Sequence, residues 1–249
     1  MYRFPAKHCA EVLGETLEYV SAGVGPATVV LVNGAGGPIE GWYKVFGPLA
    51  GFCRVFAYNR PGIGGSGKPQ TAQTGSHLVA SLRGLLQAAG LAPPYLLVGH
   101  SLGGLIVNLY ARLHPAEVAA VLLLDATAPA DVECQPRFET GLQRALRRLL
   151  SWLPQDTRAE VCHVDTTVAE LQAAPDFPAI PLVVLSGSRP AMAWATPAAA
   201  LAARAQHQRE LAALSPLGVH LIAERSGHFP QLSEPQRVVD TVHTLIAAG

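Results

Sequence analysis

Short, almost wholly apolar runs alternate along the chain with longer segments in which apolar residues recur every three or four positions. Residues 27–37 (ATVVLVNGAGG) run apolar into a glycine-rich loop, and residues 54–69 (RVFAYNRPGIGGSGKP) repeat the pattern with a second turn-forming stretch. Residues 74–90 then read as an amphipathic helix, with Thr74 or Ser76 as its N-cap and Gly90 at its end. Residues 95–115 read as strand, tight turn and helix, and residues 118–129 as strand and loop. Such regular alternation predicts parallel βαβ units, and near-continuous apolar strands predict a sheet covered on both faces. Earlier in the chain, residues 10–23 alternate like a hairpin on a sheet edge, and residues 40–51 read as a helix stopped by glycine.

The rhythm changes between Ala126 and about Ile180, where charge, Trp and Pro increase and helices are expected at 137–152 and 156–173. Alternation then resumes with a strand at 180–187, an Ala-rich helix at 197–214, a strand with its loop at 218–227 and a closing helix at 234–249. The expected organisation is therefore one α/β core formed by residues 1–125 and 181–249, interrupted by a helical insertion at 126–180.

Composition narrows the function. Lys+Arg and Asp+Glu both number 18, so the formal net charge is zero and there is no basic excess of the kind that binds nucleic acid. Only 14% of the 249 residues are charged, low against the usual quarter or so. From Leu91 to Ala111 no charged residue occurs, but Pro93, Pro94, Gly99, Gly103 and Gly104 interrupt the stretch, arguing against a membrane span. The N-terminus lacks the apolar core of a signal peptide. Cys9, Cys53, Cys134 and Cys162 lie far apart and form no metal-like spacing. Reduced thiols in a cytoplasm are the simplest expectation, with a Cys134–Cys162 disulfide left open.

The candidate chemistry lies in Gly99-His100-Ser101-Leu102-Gly103, a G-x-S-x-G pattern between an apolar strand and an apolar helix. An abrupt strand-to-helix turn would lift the Ser101 hydroxyl clear of the sheet, at the positive end of the helix dipole. A plain glycine-rich turn is the competing reading.

With this motif, the chain resembles the α/β-hydrolase family over nearly its whole length. The stretch VVLVNGAGG is similar to the family's oxyanion strand and loop, with Asn33 where His is usual. AYNRPGIGGSGKP is similar to the next strand and turn, with Asn59 where Asp is usual. GHSLGG resembles the nucleophile elbow, and AERSGHFPQLSEPQRV the loop of the catalytic histidine. The resemblance implies an α/β-hydrolase fold with a mostly parallel, doubly wound sheet and a helical lid. It also implies Ser101 as nucleophile, His228 as base and an oxyanion hole from the backbone N–H groups of Leu102 and Ala35, with Gly36 as the neighbour if the register slips. Ser101 at the elbow excludes the aspartate nucleophile of dehalogenases and epoxide hydrolases of this fold. His100, beside the nucleophile, is read as packing.

The base requires an orienting carboxylate. In most of the family it follows the strand that here reads PLVVLSG, yet no Asp or Glu occurs from Pro181 until Glu210. Asp125, at the end of VLLLD, is the alternative, since some members place the acid there and the two strands are neighbours. A loop cap at Asp125, Asp131 as the acid, or a Ser–His dyad are the competing readings. In the insertion, Leu149, Trp152, Leu153, Val161 and Leu171 could line an apolar pocket or form its internal core.

The implied reaction is cleavage of an ester, thioester, lactone or related acyl bond in a small to medium, hydrophobic substrate. It passes through an acyl-enzyme and calls for no metal or organic cofactor. Nucleic-acid partners and a membrane span are not expected. A receptor-like ligand-binding protein with little turnover, an acyltransferase and a perhydrolase are alternatives on the same framework.

Overall fold

A computed structural model of the chain describes residues 4–138, 156, 158–189 and 198–248. Its centre is a sheet of eight strands: β1 (His8–Val12), β2 (Glu15–Ala22), β3 (Thr28–Val32), β4 (Arg54–Tyr58), β5 (Tyr95–His100), β6 (Val118–Leu124), β7 (Leu182–Gly187) and β8 (Gly218–Ala223). The order across the sheet is β1-β2-β4-β3-β5-β6-β7-β8. β2 pairs antiparallel with β1 and β4, while β4-β3-β5-β6-β7-β8 are all parallel. The expected edge hairpin and doubly wound parallel sheet are both present.

The helices are α1 (Phe46–Ala50), α2 (Gly75–Ala88), α3 (Gly103–Leu113), α4 (Pro129–Phe138), α5 (Val164–Ala173), α6 (Ala198–Ala212), α7 (Pro230–Ser233) and α8 (Pro235–Ala247). The Thr74 side chain caps α2 by accepting the His77 N–H. The single helix expected over 40–51 is instead a 3-10 turn, Ile39–Trp42, followed by the short α1. Gly47 and Pro48 sit within α1, where one has low helix propensity and the other has no N–H to donate.

Two apolar clusters form the core, one on each face of the sheet. Because side chains alternate along a strand, Val121 and Leu123 of β6 face a layer containing Leu78 of α2 and Leu105 and Leu109 of α3. Leu122 and Leu124 face the opposite layer, with Trp42, Phe46, and Val238 and Val242 of α8. Burial on both faces explains why these strands are continuously apolar.

Within residues 126–180, Val168 and Leu171 of α5 and Phe177 after it join the α2–α3 layer. Leu171 is thus core, whereas Val161 is 55% exposed. Leu149, Trp152, Leu153 and most of the expected 137–152 helix lie outside the described residues. The Cys134–Cys162 pairing falls partly outside them as well, and Cys162 is a free, exposed thiol. Among the described residues, no helix is long and apolar enough to cross a membrane.

The strand order also locates the site. From β3 the chain moves to β4 on one side, then returns past β3 to β5 on the other. The direction of winding reverses between β3 and β5, and crevices at the carboxyl ends of such strand pairs receive ligands in open α/β sheets. The glycine-rich 33–37 loop and Ser101 follow those two strands.

Leu122→Ala should lower the unfolding free energy in urea titrations by about 2–5 kcal/mol, the usual range for truncating a buried leucine. Val219→Ser, on the 49%-exposed side of edge strand β8, should change it by about 0.5 kcal/mol or less.

Candidate active site

Every residue of β5 is buried, and the strand passes through Ser101 directly into α3. Ser101 has φ +51°, a left-handed conformation that non-glycine residues adopt at a cost of about 1–3 kcal/mol. Its glycine neighbours permit the turn. A Cβ at Gly99 would stand 2.6 Å from Val107 Cγ2 of α3, and one at Gly103 would collide with the carbonyl oxygens of Val32 and Asn33. The first turn of α3 thereby lies against the end of β3.

Ser101 Oγ lies 2.9 Å from His228 Nε2, and His228 Nδ1 lies 2.6 Å from Asp125 Oδ2. The three residues are far apart in sequence but follow the ends of β5, β8 and β6. Asp125, also at a positive φ of +40°, is 4% exposed. Burial pushes its carboxyl up, but the hydrogen bond from His228 and the positive charge of Arg204 outweigh burial and hold it below the ordinary range. As a carboxylate it can only accept, so His228 Nδ1–H donates. In the neutral ring, Nε2 is then left to accept the Ser101 hydroxyl proton.

Two further groups hold Asp125. Gly187 N–H, at the end of β7, donates to Oδ1 at 3.1 Å, and Arg204 Nη2 on α6 donates to Oδ2 at 2.8 Å and to the Asp125 carbonyl at 3.1 Å. The family's usual acid position after β7 thus contributes a backbone donor rather than a carboxylate. Arg204 was not legible from the sequence; the only signal was an arginine within an Ala-rich helix following the strand without an acid.

Asp131 does not reach His228. Its Oδ1 pairs with His207 Nδ1 at 2.7 Å, and its Oδ2 accepts the Ala128 N–H at 2.9 Å and lies 3.4 Å from Arg204 Nη1. It supports Arg204 from the outer side. A cavity of about 630 Å³ opens between α6 and strands β7 and β8, with Asp125, His228 and Arg204 in its wall. Its volume is on the scale of small-molecule sites.

Ala35 follows Gly34, where a Cβ would stand 2.9 Å from Ser101 Cβ, and Leu102 follows Ser101. Among the described residues, neither backbone N–H has a protein acceptor, whereas Gly36 N–H donates to Glu160 Oε1 at 3.0 Å. Asn33, in the place where the family carries His, turns its amide inward and donates to the Pro38 carbonyl at 2.7 Å. Asn59 accepts the Ile39 N–H at 2.8 Å and donates to Glu18 Oε2 at 2.5 Å. Both departures from the family pattern therefore serve as internal ties of the loop.

His100 is packed, as expected, but it also holds the His228 main chain. Its Nε2–H donates to the His228 carbonyl at 2.7 Å, and its ring lies 4.9 Å from that of His228. Among the described residues, no group of three or more His, Cys, Asp or Glu side chains could hold a metal ion.

Burial pushes the His100 imidazole down to about 4. Between the unfolded value of about 6.5 and that folded value, the unfolded chain binds a proton that the folded chain refuses. Folding is therefore weakened as pH falls through this window, by on the order of 3 kcal/mol near its lower end. His100→Gln, which cannot titrate, should lose about 2–3 kcal/mol less unfolding free energy than wild type between pH 7 and pH 4.5 in urea titrations. Equal losses would show that His100 is not the titrating group.

Residues 27–161, more than half of the chain, match the family model of the alpha/beta hydrolase fold. The YqjL protein of Bacillus subtilis (strain 168) is 36% identical over 107 residues, which cover 43% of this chain and 41% of that protein. The matched region thus spans less than half of this relative's length. Among solved structures, epoxide hydrolase CorEH superposes with a TM-score of 0.71 at 20% identity, covering 98% of this chain and 99% of that one. The enol-lactonase from Burkholderia xenovorans LB400 superposes at 0.67 and 21% identity, covering 96% and 100%. These superpositions extend the fold across both flanks of the matched region, and the chain belongs to the α/β-hydrolase fold family.

Proposed function

We propose that the protein is a serine hydrolase that cleaves an ester, thioester or lactone through Ser101, His228 and Asp125. The observation that carries this reading is the continuous contact from Asp125 to His228 to Ser101, at 2.6 and 2.9 Å. The tautomer required by the Asp125 carboxylate makes His228 Nε2 the base that a weak serine nucleophile needs.

In the first half-reaction, Ser101 Oγ bonds to the acyl carbon as its proton passes to His228 Nε2. The carbonyl oxygen becomes an oxyanion, received by the backbone N–H groups of Ala35 and Leu102. The tetrahedral intermediate collapses as the bond to the leaving group breaks, and His228 returns the proton to that group. Water then attacks the acyl-Ser101 ester by the same route, releasing the acid and restoring the serine. Asp125 stays ionised and stabilises the imidazolium, while Arg204 and Gly187 N–H keep it from rotating away. An apolar acyl group of small to medium size is the substrate class we favour. Exposed free thiols at Cys9 and Cys162 fit a reducing cytoplasm.

A fluorophosphonate probe should label the wild type and fail to label Ser101→Ala. His228→Ala and Asp125→Asn should slow labelling steeply, the latter by up to about 10⁴-fold, while Asp131→Asn should change it less than about threefold. No labelling of the wild type would overturn the reading. An unchanged rate in Asp125→Asn would remove Asp125 as the acid.

A further inference from the structure

Behind the 33–37 loop lies a buried ion pair that takes no part in the proton transfers. Arg60, in the loop after β4, is 2% exposed. Its Nη1 donates to the Asn33 carbonyl at 2.9 Å and its Nη2 to the Gly34 carbonyl at 2.6 Å. Arg60 Nε donates to Glu160 Oε2, and Nη2 also reaches Glu160 Oε1 at 2.9 Å. The same Oε1 accepts the Gly36 N–H at 3.0 Å. Glu160 belongs to the 3-10 turn Glu160–His163, in the segment between β6 and β7.

The loop itself is a tight turn. Gly37 N–H donates to the Gly34 carbonyl at 3.1 Å, and Gly36 has φ +64°. This is the pattern of a type II turn, with Ala35 and Gly36 as its central residues and glycine where a positive φ is needed. The Gly34 carbonyl and the Ala35 N–H belong to one planar, trans peptide. Holding that carbonyl toward Arg60 therefore turns the Ala35 N–H to the opposite side. The next peptide is held through its own N–H, on Gly36, by Glu160. Both peptide planes flanking Ala35 are thus fixed by the Arg60–Glu160 pair.

We propose that Glu160 is a positioning residue for the oxyanion hole, acting through Arg60 and the Gly36 N–H to aim the Ala35 N–H at the acyl oxygen. This inference rests on the Ser101 mechanism above. A buried ion pair is a weak source of net stability, but here its carboxylate adds one further hydrogen bond to the loop and its guanidinium adds two. It follows that the oxyanion hole is completed by the segment between β6 and β7, since that segment must be docked for Glu160 to reach Gly36.

The test compares p-nitrophenyl butyrate with the matching thionoester. Sulfur is a weak hydrogen-bond acceptor, so a C=S substrate draws little from an oxyanion hole. Glu160→Gln, which keeps the side-chain shape but removes the charge facing Arg60, should lower kcat on the oxoester by about tenfold to a hundredfold, a fraction of what a whole donor contributes. KM should stay within about twofold, and the thionoester rate should fall by less than about threefold. Arg60→Lys, which loses the fork to the Asn33 and Gly34 carbonyls, should give the same split if Glu160→Gln fails to fold. Equal falls on both substrates, or no fall on either, would overturn the proposal. A wild type that hydrolyses the oxoester beside an unimpaired Glu160→Gln would overturn this inference alone. A wild type that neither labels at Ser101 nor turns over would overturn the triad reading and this inference with it.

Discussion

The contact of the first turn of α3 with the last carbonyls of β3 governs the geometry of everything around Ser101. Gly103 carries no side chain where Val32 and Asn33 present their oxygens, so helix and strand approach to a distance that any Cβ would block. This approach forces Ser101 into a left-handed turn and brings its hydroxyl beside the loop that follows β3. The reversal of winding between β3 and β5 keeps the crevice above them open, because the two following segments leave in opposite directions. Local backbone strain, glycine packing and sheet order thus meet at one serine.

From that point the remaining groups arrive as strand ends. β6 and β8 deliver Asp125 and His228 to the same edge of the sheet, and β7, between them, delivers the Gly187 N–H rather than an acid. Moving the carboxylate from β7 to β6 changes its surroundings. Asp125 is clamped on one side by a backbone amide and on the other by Arg204, and the His228 hydrogen bond together with the Arg204 charge holds its carboxyl below the ordinary range despite burial. His228 is steadied as well, through the His100 bond to its carbonyl.

The fold was legible because its signals are local and repeated. Apolar runs separated by glycine-rich turns gave the strands and their parallel sense, and G-x-S-x-G between strand and helix gave Ser101. Asp125 was reached by an argument about a missing residue: the strand PLVVLSG offers no carboxylate, and the preceding strand ends in one. Arg204, Arg60 and Glu160 were not legible, because their roles depend on long-range contacts: Glu160 lies 124 residues from Gly36, and Arg204 lies 79 from Asp125. Asn33 and Asn59 were legible as departures from the family pattern, but their partners were not: Asn33 donates to the Pro38 carbonyl and Asn59 accepts the Ile39 N–H. The break within 40–51 was less legible, because the apolar spacing continues across it and only Pro48, with no N–H to donate, marks it.

The proposed chemistry depends on Asp125, and no other acid, holding the His228 Nδ1 proton. The most direct measurement is the proton NMR spectrum of ¹⁵N-histidine-labelled protein in the far-downfield region, where a short imidazole N–H···carboxylate bond gives its own resonance. The wild type should show a His228 Nδ1–H signal that is lost in Asp125→Asn and retained in Asp131→Asn. A signal that survives in Asp125→Asn would contradict it.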